Sequence, residues 1–400
     1  MEEGAAVSRP REKQISLPDI FWVFLKMGMT AFGPAMASEA KKNIVKRKQW
    51  LKEQEFLNGL ALAQFIPGAT FVTLTVFMGY RIRRLAGAAM SFTGFLLPPT
   101  ALMVLLSYLY FRYSELPLVA MAFRGVEAIV VALIANVVFD LGRSAIKGWQ
   151  AALVAAASLA VAWFNQNVFL IILLAAMLSV IVFVPWKKRP VAGKSGRPEE
   201  VFHWWEITIV LAVAAVIAGL SALYPLLLQL EGVFFRIGCL VFGNGFTMIP
   251  MIQQQVVNVF HWLNLDQFTA GIALGQITPG PVVITATFVG YKVAGILGAL
   301  AATVGVFSPC FILVTLVMPV YTKIKENPWV KAVFNGIVAS FIGLMIVVVI
   351  GMGRHSLTDY TTAGLFVATL AVLRFTRIDV LWVVLGGTAV YLALAKFVGW

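Results

Sequence analysis

The chain has 400 residues, 60% of them hydrophobic and 12% charged, with a net charge of +13 and a mean hydropathy of +0.89. Soluble globular domains carry roughly a quarter charged residues, so the composition excludes that class and points to a polytopic membrane protein. The basic surplus lies in short loops between apolar stretches, where it acts as a topology signal, and not along a polar face suited to nucleic acid.

Residues 1–19 are polar, lack the apolar run and cleavage site of a signal peptide, and are predicted as a cytoplasmic tail. Apolar segments follow at 20–38, 56–80, 86–110, 120–141, 151–164 and 167–186, forming a first unit over 20–186. Residues 187–203, rich in Lys, Arg, Gly and Pro, read as a basic cytoplasmic linker, and 204–224 as a connecting transmembrane helix. A second unit, 231–400, holds segments 231–255, 266–291, 294–320, 331–351, 360–374 and 379–397. Most of these reach the ~20 residues a spanning helix needs. Cys239 and Cys310 lie in apolar segments and imply neither a disulfide framework nor a metal cluster.

The second unit repeats the first at a shift of 210 to 212 residues. Phe24, Lys26, Gly28, Phe32 and Gly33 fall on Phe234, Arg236, Gly238, Phe242 and Gly243. Trp50, Gly59, Gln64, Pro67 and Gly68 fall on Trp262, Gly271, Gln276, Pro279 and Gly280, and Gly94 and Pro98 on Gly305 and Pro309. Seven segments separate equivalent points, an odd number, so the halves are expected to insert in opposite orientations. The loops agree: 41–48 carries five lysines and arginines, and its counterpart 253–260 carries none. Straight crossing by every segment scatters the basic residues over both faces. If 20–38 and 56–80 and their repeats instead dip in and return, 24 lysines and arginines lie inside, 4 lie outside and 3 fall within segments. The expected fold is therefore all-α and polytopic, with two inverted repeats of about six segments each. Broken or re-entrant helices are expected at Gly33–Pro34, Pro67–Gly68, Gly243–Gly245 and Pro279–Pro281.

Paired breaks of this kind mark the binding site of secondary transporters. A broken helix leaves backbone N–H donors at the start of its second half, where the helix dipole favours an anion. The candidate substrate contacts are Gly33, Gln64, Pro67, Gly68, Gly243, Asn244, Gln276, Thr278, Pro279, Gly280 and Pro281, with nearby hydroxyls on Thr70, Thr73, Thr75, Thr285 and Thr287. Lys26 and Arg236, seven residues before the glycines of the two Phe-Gly motifs, are either symmetry-related anion contacts or interfacial anchors whose charge snorkels to water. Arg124 and Glu127 share a helix face, as a structural ion pair or a coupling site. The chain has no phosphate loop, no His-Glu-x-x-His and no nucleophile elbow, and no cofactor is indicated.

At these motifs the chain resembles the chromate ion transporter family. The stretch from Gly271 to Tyr291, with Gln276-Ile-Thr-Pro-Gly-Pro281 at its centre, is similar to the family's second-repeat signature, and Phe242-Gly243-Asn244-Gly245 followed by Pro250 to its Phe-Gly motif. In the first half, Phe32-Gly33-Pro34 lacks one glycine of the family pattern and no histidine follows it. The resemblance implies a two-domain exporter of chromate in the cytoplasmic membrane, driven by membrane potential or ion exchange. Uptake or exchange of sulfate or another oxyanion is the alternative, and a non-transporting scaffold is a reading from a different class. The expected partners are the oxyanion and the lipid bilayer, with a homodimer as one assembly open to it.

Overall fold

The structure is a computed structural model describing residues 15–30, 35–165, 167–183, 204–240, 245–317, 327–376 and 378–398. The described residues form helices joined by short turns and include no strand. Hydrocarbon offers the backbone no water to bond, so each segment satisfies its own N–H and C=O groups as a helix. Five stretches are long and apolar enough to cross a membrane: Thr70–Tyr113, Pro117–Ala145, Trp205–Ala222, Val282–Leu316 and Pro328–Ser356. The chain is a multi-pass membrane protein.

The first unit opens with α1 (Leu17–Thr30), capped by Ser16, whose hydroxyl accepts the Asp19 N–H at 3.2 Å. α2 (Ala35–Ala40) continues into a π-helical stretch, Lys41–Arg47, and α3 (Glu53–Phe65) and α4 (Thr70–Tyr113) follow. α4 is not one rod, because Arg83 (φ −144°, ψ 37°) and Arg84 (φ 50°, ψ −142°) fold it back on itself. Across that fold Ser91 Oγ donates to Thr75 O at 3.0 Å, and Gly79 and Gly87 let the two backbones touch. α3 and the first arm of α4 form a second antiparallel pair about Gly68. Its open end is joined by Arg81 and Glu55 at 2.5 Å, and the Phe77 ring covers Gly59. In a straight helix, residues 55 and 81 would stand about 39 Å apart.

Residues 53–82 are therefore a hairpin with both feet at one end of the molecule. The same end holds the Ile15 carbonyl, which accepts from Arg83 at 3.1 Å, and the Lys41–Glu53 pair at 2.5 Å. α1 leaves this end, and the chain is back at it by Lys41. α5 (Pro117–Ala145), α6 (Trp149–Phe164) and α7 (Val168–Phe183) complete the unit.

The second unit carries the same backbone features. α8 (Trp204–Ala222) leads to α9 (Pro225–Gly238), and α10 (Ile249–Gln253) runs into a second π-helical stretch, Gln254–Val259. α11 (Leu265–Ile277) and α12 (Thr285–Val317) match α3 and α4, with the fold-back at Ala294 (φ −144°, ψ 32°) and Gly295 (φ 59°, ψ −144°). α13 (Pro328–Ser356), α14 (Tyr360–Phe375) and α15 (Val380–Val398) follow. Left-handed residues recur in pairs: Gln49 with His261 (φ 53° and 51°), Gly68 with Gly280 (φ 133° and 109°), and Arg84 with Gly295.

The two fold-backs lie at opposite ends. From Arg84, the second arm of α4 runs about 40 Å to Phe111. There the Phe111 and Phe288 rings meet at 4.8 Å and Lys292 sits 4.9 Å over Phe111, just before the turn at Ala294–Gly295. The long arms of α4 and α12 thus run antiparallel through the core. α1 lies on the first, with Gly28 against the Phe95 carbonyl, and α9 on the second, with Gly238 against the Val306 carbonyl.

One feature lacks a counterpart. At the start of α8, Glu206 is 4% exposed and accepts from Arg84 Nε and from the Tyr80 hydroxyl, each at 2.6 Å. Arg84 holds a backbone conformation suited to glycine, at a cost of about 1–3 kcal/mol, and the ion pair keeps it there. The second unit has Gly295 at that position. Arg84→Gly relieves the strain but takes the guanidinium from a buried carboxylate. Removing one partner of a fully buried pair costs ~3–5 kcal/mol. Arg84 is 44% exposed, so a loss of about 1–3 kcal/mol is expected, read as a lower unfolding temperature in detergent. The double variant Arg84→Gly/Glu206→Gln should recover most of that loss, and equal losses in single and double variants would exclude the ion pair as the cause.

Candidate functional site

The hairpin tips, residues 66–69 and 278–281, converge on the middle of the long arms. A Cβ placed on Gly68 would stand 2.5 Å from Cys310 Sγ, and one on Gly280 3.0 Å from the Pro99 ring. Pro99 and Cys310 occupy equivalent places in the repeat, so each tip is seated on the long arm of the other unit. Local sequence makes the tips. Pro67 and Pro279 cannot continue a hydrogen-bond ladder, and Gly68 and Gly280 adopt φ values that side chains oppose. Pro98, Pro99 and Pro309 weaken the long arms at the same level, and Ser308 Oγ donates to the Gly305 carbonyl that Pro309 leaves without an N–H, at 3.3 Å.

The first arm of α4 and the Val282–Ile284 turn before α12 both begin at a tip, so two helix N-termini lie in the interior, each beside the long arm of the other unit. Ala69 and Pro281 are their capping residues, and neither gives a side-chain hydrogen bond to the first turn. Their N–H groups and the dipoles behind them suit a negative charge.

Pro67 is half-buried, and Gly68, Pro279, Gly280 and Pro281 are buried at the tips. Thr278 is buried and donates its hydroxyl to Leu274 O at 2.8 Å. Thr73 and Thr285 donate to Ala69 O (3.1 Å) and Val282 O (2.9 Å), and Thr287 bonds Thr303 at 2.7 Å. These four hydroxyls serve the fold, whereas Thr75 Oγ1 is buried without a hydrogen-bond partner, so the donor set comprises backbone N–H groups, amides and that hydroxyl. Gln276 is half-buried with its Nε2 enclosed and without a hydrogen-bond partner, whereas Gln64 is exposed. Gly33, Gly243 and Asn244 lie outside the described residues.

Lys26 and Arg236 do not reach the tips. Both are exposed, on faces of α1 and α9 turned away from Gly28 and Gly238, beside Trp22 and Met29 in the first case and Phe235 in the second. Arg124 still acts electrostatically on Glu127, and each has further partners. Glu127 faces Asp266, His355 and Ser356, and Asp266 and His355 pair at 2.5 Å. Arg124 also lines a cavity of about 390 Å³ with Met121, Asp359, Thr361 and Tyr391. The Thr361 hydroxyl, against the burial of the group, and the Thr362 N–H hold the Asp359 carboxyl below its ordinary range, so that cavity carries both charge signs at neutral pH. Helix periodicity put Arg124 and Glu127 together because they are three residues apart, but their tertiary neighbours come from α11, α13 and α14.

Sequence reasoning missed Cys310 and Pro99 as the seats of the tips. The matched Pro98 and Pro309 carried that signal, since prolines at one depth in both long arms mark the level of the breaks. Asp266 and His355 had none, because Gln54 and Ser144 stand at their repeat positions. The seat is testable through Cys310, which is fully buried. In a Cys239→Ser background, Cys310 should resist N-ethylmaleimide until the protein is denatured. Gly68→Ala should speed its labelling at least tenfold, and equal rates would mean that the tip is not seated there.

A family model described as a chromate transporter matches residues 18–180 and 228–392. An uncharacterised transporter of Methanocaldococcus jannaschii is 31% identical over 377 residues, 92% of either chain. The chromate transport protein of Cupriavidus metallidurans is 32% identical over 382 residues, 94% of this chain and 92% of its own. A probable chromate transport protein of Synechococcus elongatus is 32% identical over 355 residues, 87% of each. No solved structure matches the chain.

Proposed function

Because the chain belongs to the chromate transporter family, we propose that it is a secondary transporter carrying chromate, a tetrahedral divalent oxyanion, out of the cytoplasm across the cytoplasmic membrane. The observation that carries this reading is the placing of two helix N-termini at the hairpin tips, each seated at the prolines of the other unit's long arm. Discontinuous helices entering from opposite directions are the general device by which secondary transporters hold an anion near the membrane midplane. Backbone donors in a poorly hydrated interior bind a dianion without fixing a countercharge beside it, which leaves the anion able to depart.

Residues 20–186 and 231–400 act as the two inverted repeats, joined by the basic linker and α8. The end holding Lys41, Glu53, Arg81 and Arg84 is the cytoplasmic one in this reading, supported by its share of the lysines and arginines. Exchange for another ion, or the membrane potential itself, supplies the driving force, since net movement of a dianion outward is favoured by an inside-negative potential.

Everted vesicles from cells expressing the chain should accumulate chromate, with sulfate as a competitor. Accumulation of neither anion would overturn the reading, and accumulation of sulfate alone would move the substrate to that anion. Lys26 and Arg236 are proposed as collecting charges on the exposed faces beside the breaks. Lys26→Met and Arg236→Gln should each raise the half-saturation concentration severalfold with little change in maximal rate. An effect of ~1.4 kcal/mol corresponds to tenfold. Unchanged half-saturation at normal expression would make both residues interfacial anchors.

A further inference from the structure

The second π-helical stretch opens onto a cavity that the tips do not use. Its volume is about 420 Å³, and it lies between the end of α6, the start of α7, α10 with its π-helical continuation, and the last turns of α13. Its polar lining comprises Asn165, Gln253, Gln254, Asn258 and Arg354, with Trp163 at the edge, and it contains no carboxylate. The Arg354 guanidinium lies 5.6 Å over the Trp163 ring, which fixes the charge at the rim. Gln254 Oε1 accepts the Val168 N–H at 3.1 Å, so the amide nitrogen is the part of that side chain left to donate. Gln253 has an amide oxygen enclosed without a partner. Oxygen and nitrogen of a carboxamide exchange places by a half-turn, and an anion in the cavity would be met by the nitrogen.

The repeat sharpens this. At the shift that places Trp50 on Trp262, Lys41, Lys42 and Lys46 fall on Gln253, Gln254 and Asn258. At the shift that places Phe123 on Phe334, Arg143 falls on Arg354. The two units therefore build the same π-helical rim at opposite ends, with three ammonium groups in one and three amides in the other. One guanidinium with neutral donors matches a tetrahedral oxyanion geometrically but holds it with far less Coulomb energy than a cluster of cations.

We propose that this cavity is an oxyanion site at the release end of the path, with Arg354 as its charge and Gln253, Gln254, Asn258 and Asn165 as its neutral donors. The assignment of the release end rests on the transport reading above. The chemistry of the site does not, and it would equally receive the phosphate of a lipid headgroup, since Trp163 and Arg354 are both exposed.

The probe is radiolabelled sulfate, titrated onto the purified chain in phosphatidylcholine nanodiscs, with Trp163 emission as the local readout. Wild type should bind sulfate with a change in emission that is absent in Trp163→Phe. Arg354→Gln should weaken the Arg354-dependent component at least tenfold, Gln253→Leu severalfold, and Arg354→Lys should keep most of it at an unchanged unfolding temperature. Binding and emission response in Arg354→Gln equal to wild type would overturn the site. Repetition in discs containing phosphatidylglycerol separates the sources. Competition by the lipid for the Arg354-dependent component identifies a headgroup as occupant, which supports the oxyanion chemistry and overturns the release role. Absence of competition supports the free anion. Sulfate binding through Arg354 in a chain that moves neither chromate nor sulfate would keep the site and remove the transport reading.

Discussion

Irregular backbone at membrane depth is tolerated only where protein or water covers its polar groups, and that constraint organises the rest of this molecule. The two tips are such backbone. Gly68 is covered by Cys310 and Gly280 by Pro99, so each unit seals the break of the other. Neither unit can close its own tip, because the covering residue lies on a long arm that leaves from the opposite end. The duplication is thus a single interlocked core and not two domains side by side. Backbone contact at Gly28, Gly79, Gly238 and their repeat partners brings the arms close enough for the interlock to work.

Near-symmetry makes the departures informative. Arg84 and Gly295 share a backbone conformation, but only the first is tied down, through Glu206 of the helix that has no repeat partner. α8 therefore does more than reconnect two units of opposite direction: it fastens the fold-back of the first unit to the start of the second. The π-helical rims depart in charge instead of backbone, lysines at one end and amides at the other.

The interior between the rims is held by neutral groups. Thr73, Thr278 and Thr285 bond carbonyls of their own turns, Thr287 bonds Thr303, Thr75 keeps a buried hydroxyl without a partner, and the cations of α1 and α9 face outward. What remains at the tips is oriented N–H, two dipoles and an amide nitrogen on Gln276. Such donors are preorganised by the helices that carry them, so binding an oxyanion requires little rearrangement of side chains.

Membrane class, the internal duplication and the breaks at Pro67–Gly68 and Pro279–Pro281 were legible in the sequence, because each rests on local chemistry, whereas the breaks expected at Gly33–Pro34 and Gly243–Gly245 fall on positions of which Gly33, Pro34, Gly243 and Asn244 lie outside the described residues. Hydrophobic length decides a segment, and proline with glycine ends a helix wherever it occurs. Matched motifs such as Pro67–Gly68 and Pro279–Gly280 carry that information twice. Tertiary structure alone decided which groups face the tips. Lys26 is exposed on α1, on a face turned away from Gly28, which packs on the Phe95 carbonyl. Arg124 and Glu127 keep their electrostatic contact, and α11, α13 and α14 add neighbours that their spacing in sequence does not announce. The seat of Gly68 on Cys310 and the Arg84–Glu206 pair join residues 242 and 122 positions apart. Such contacts depend on how the two halves pack against each other, and no local periodicity encodes them.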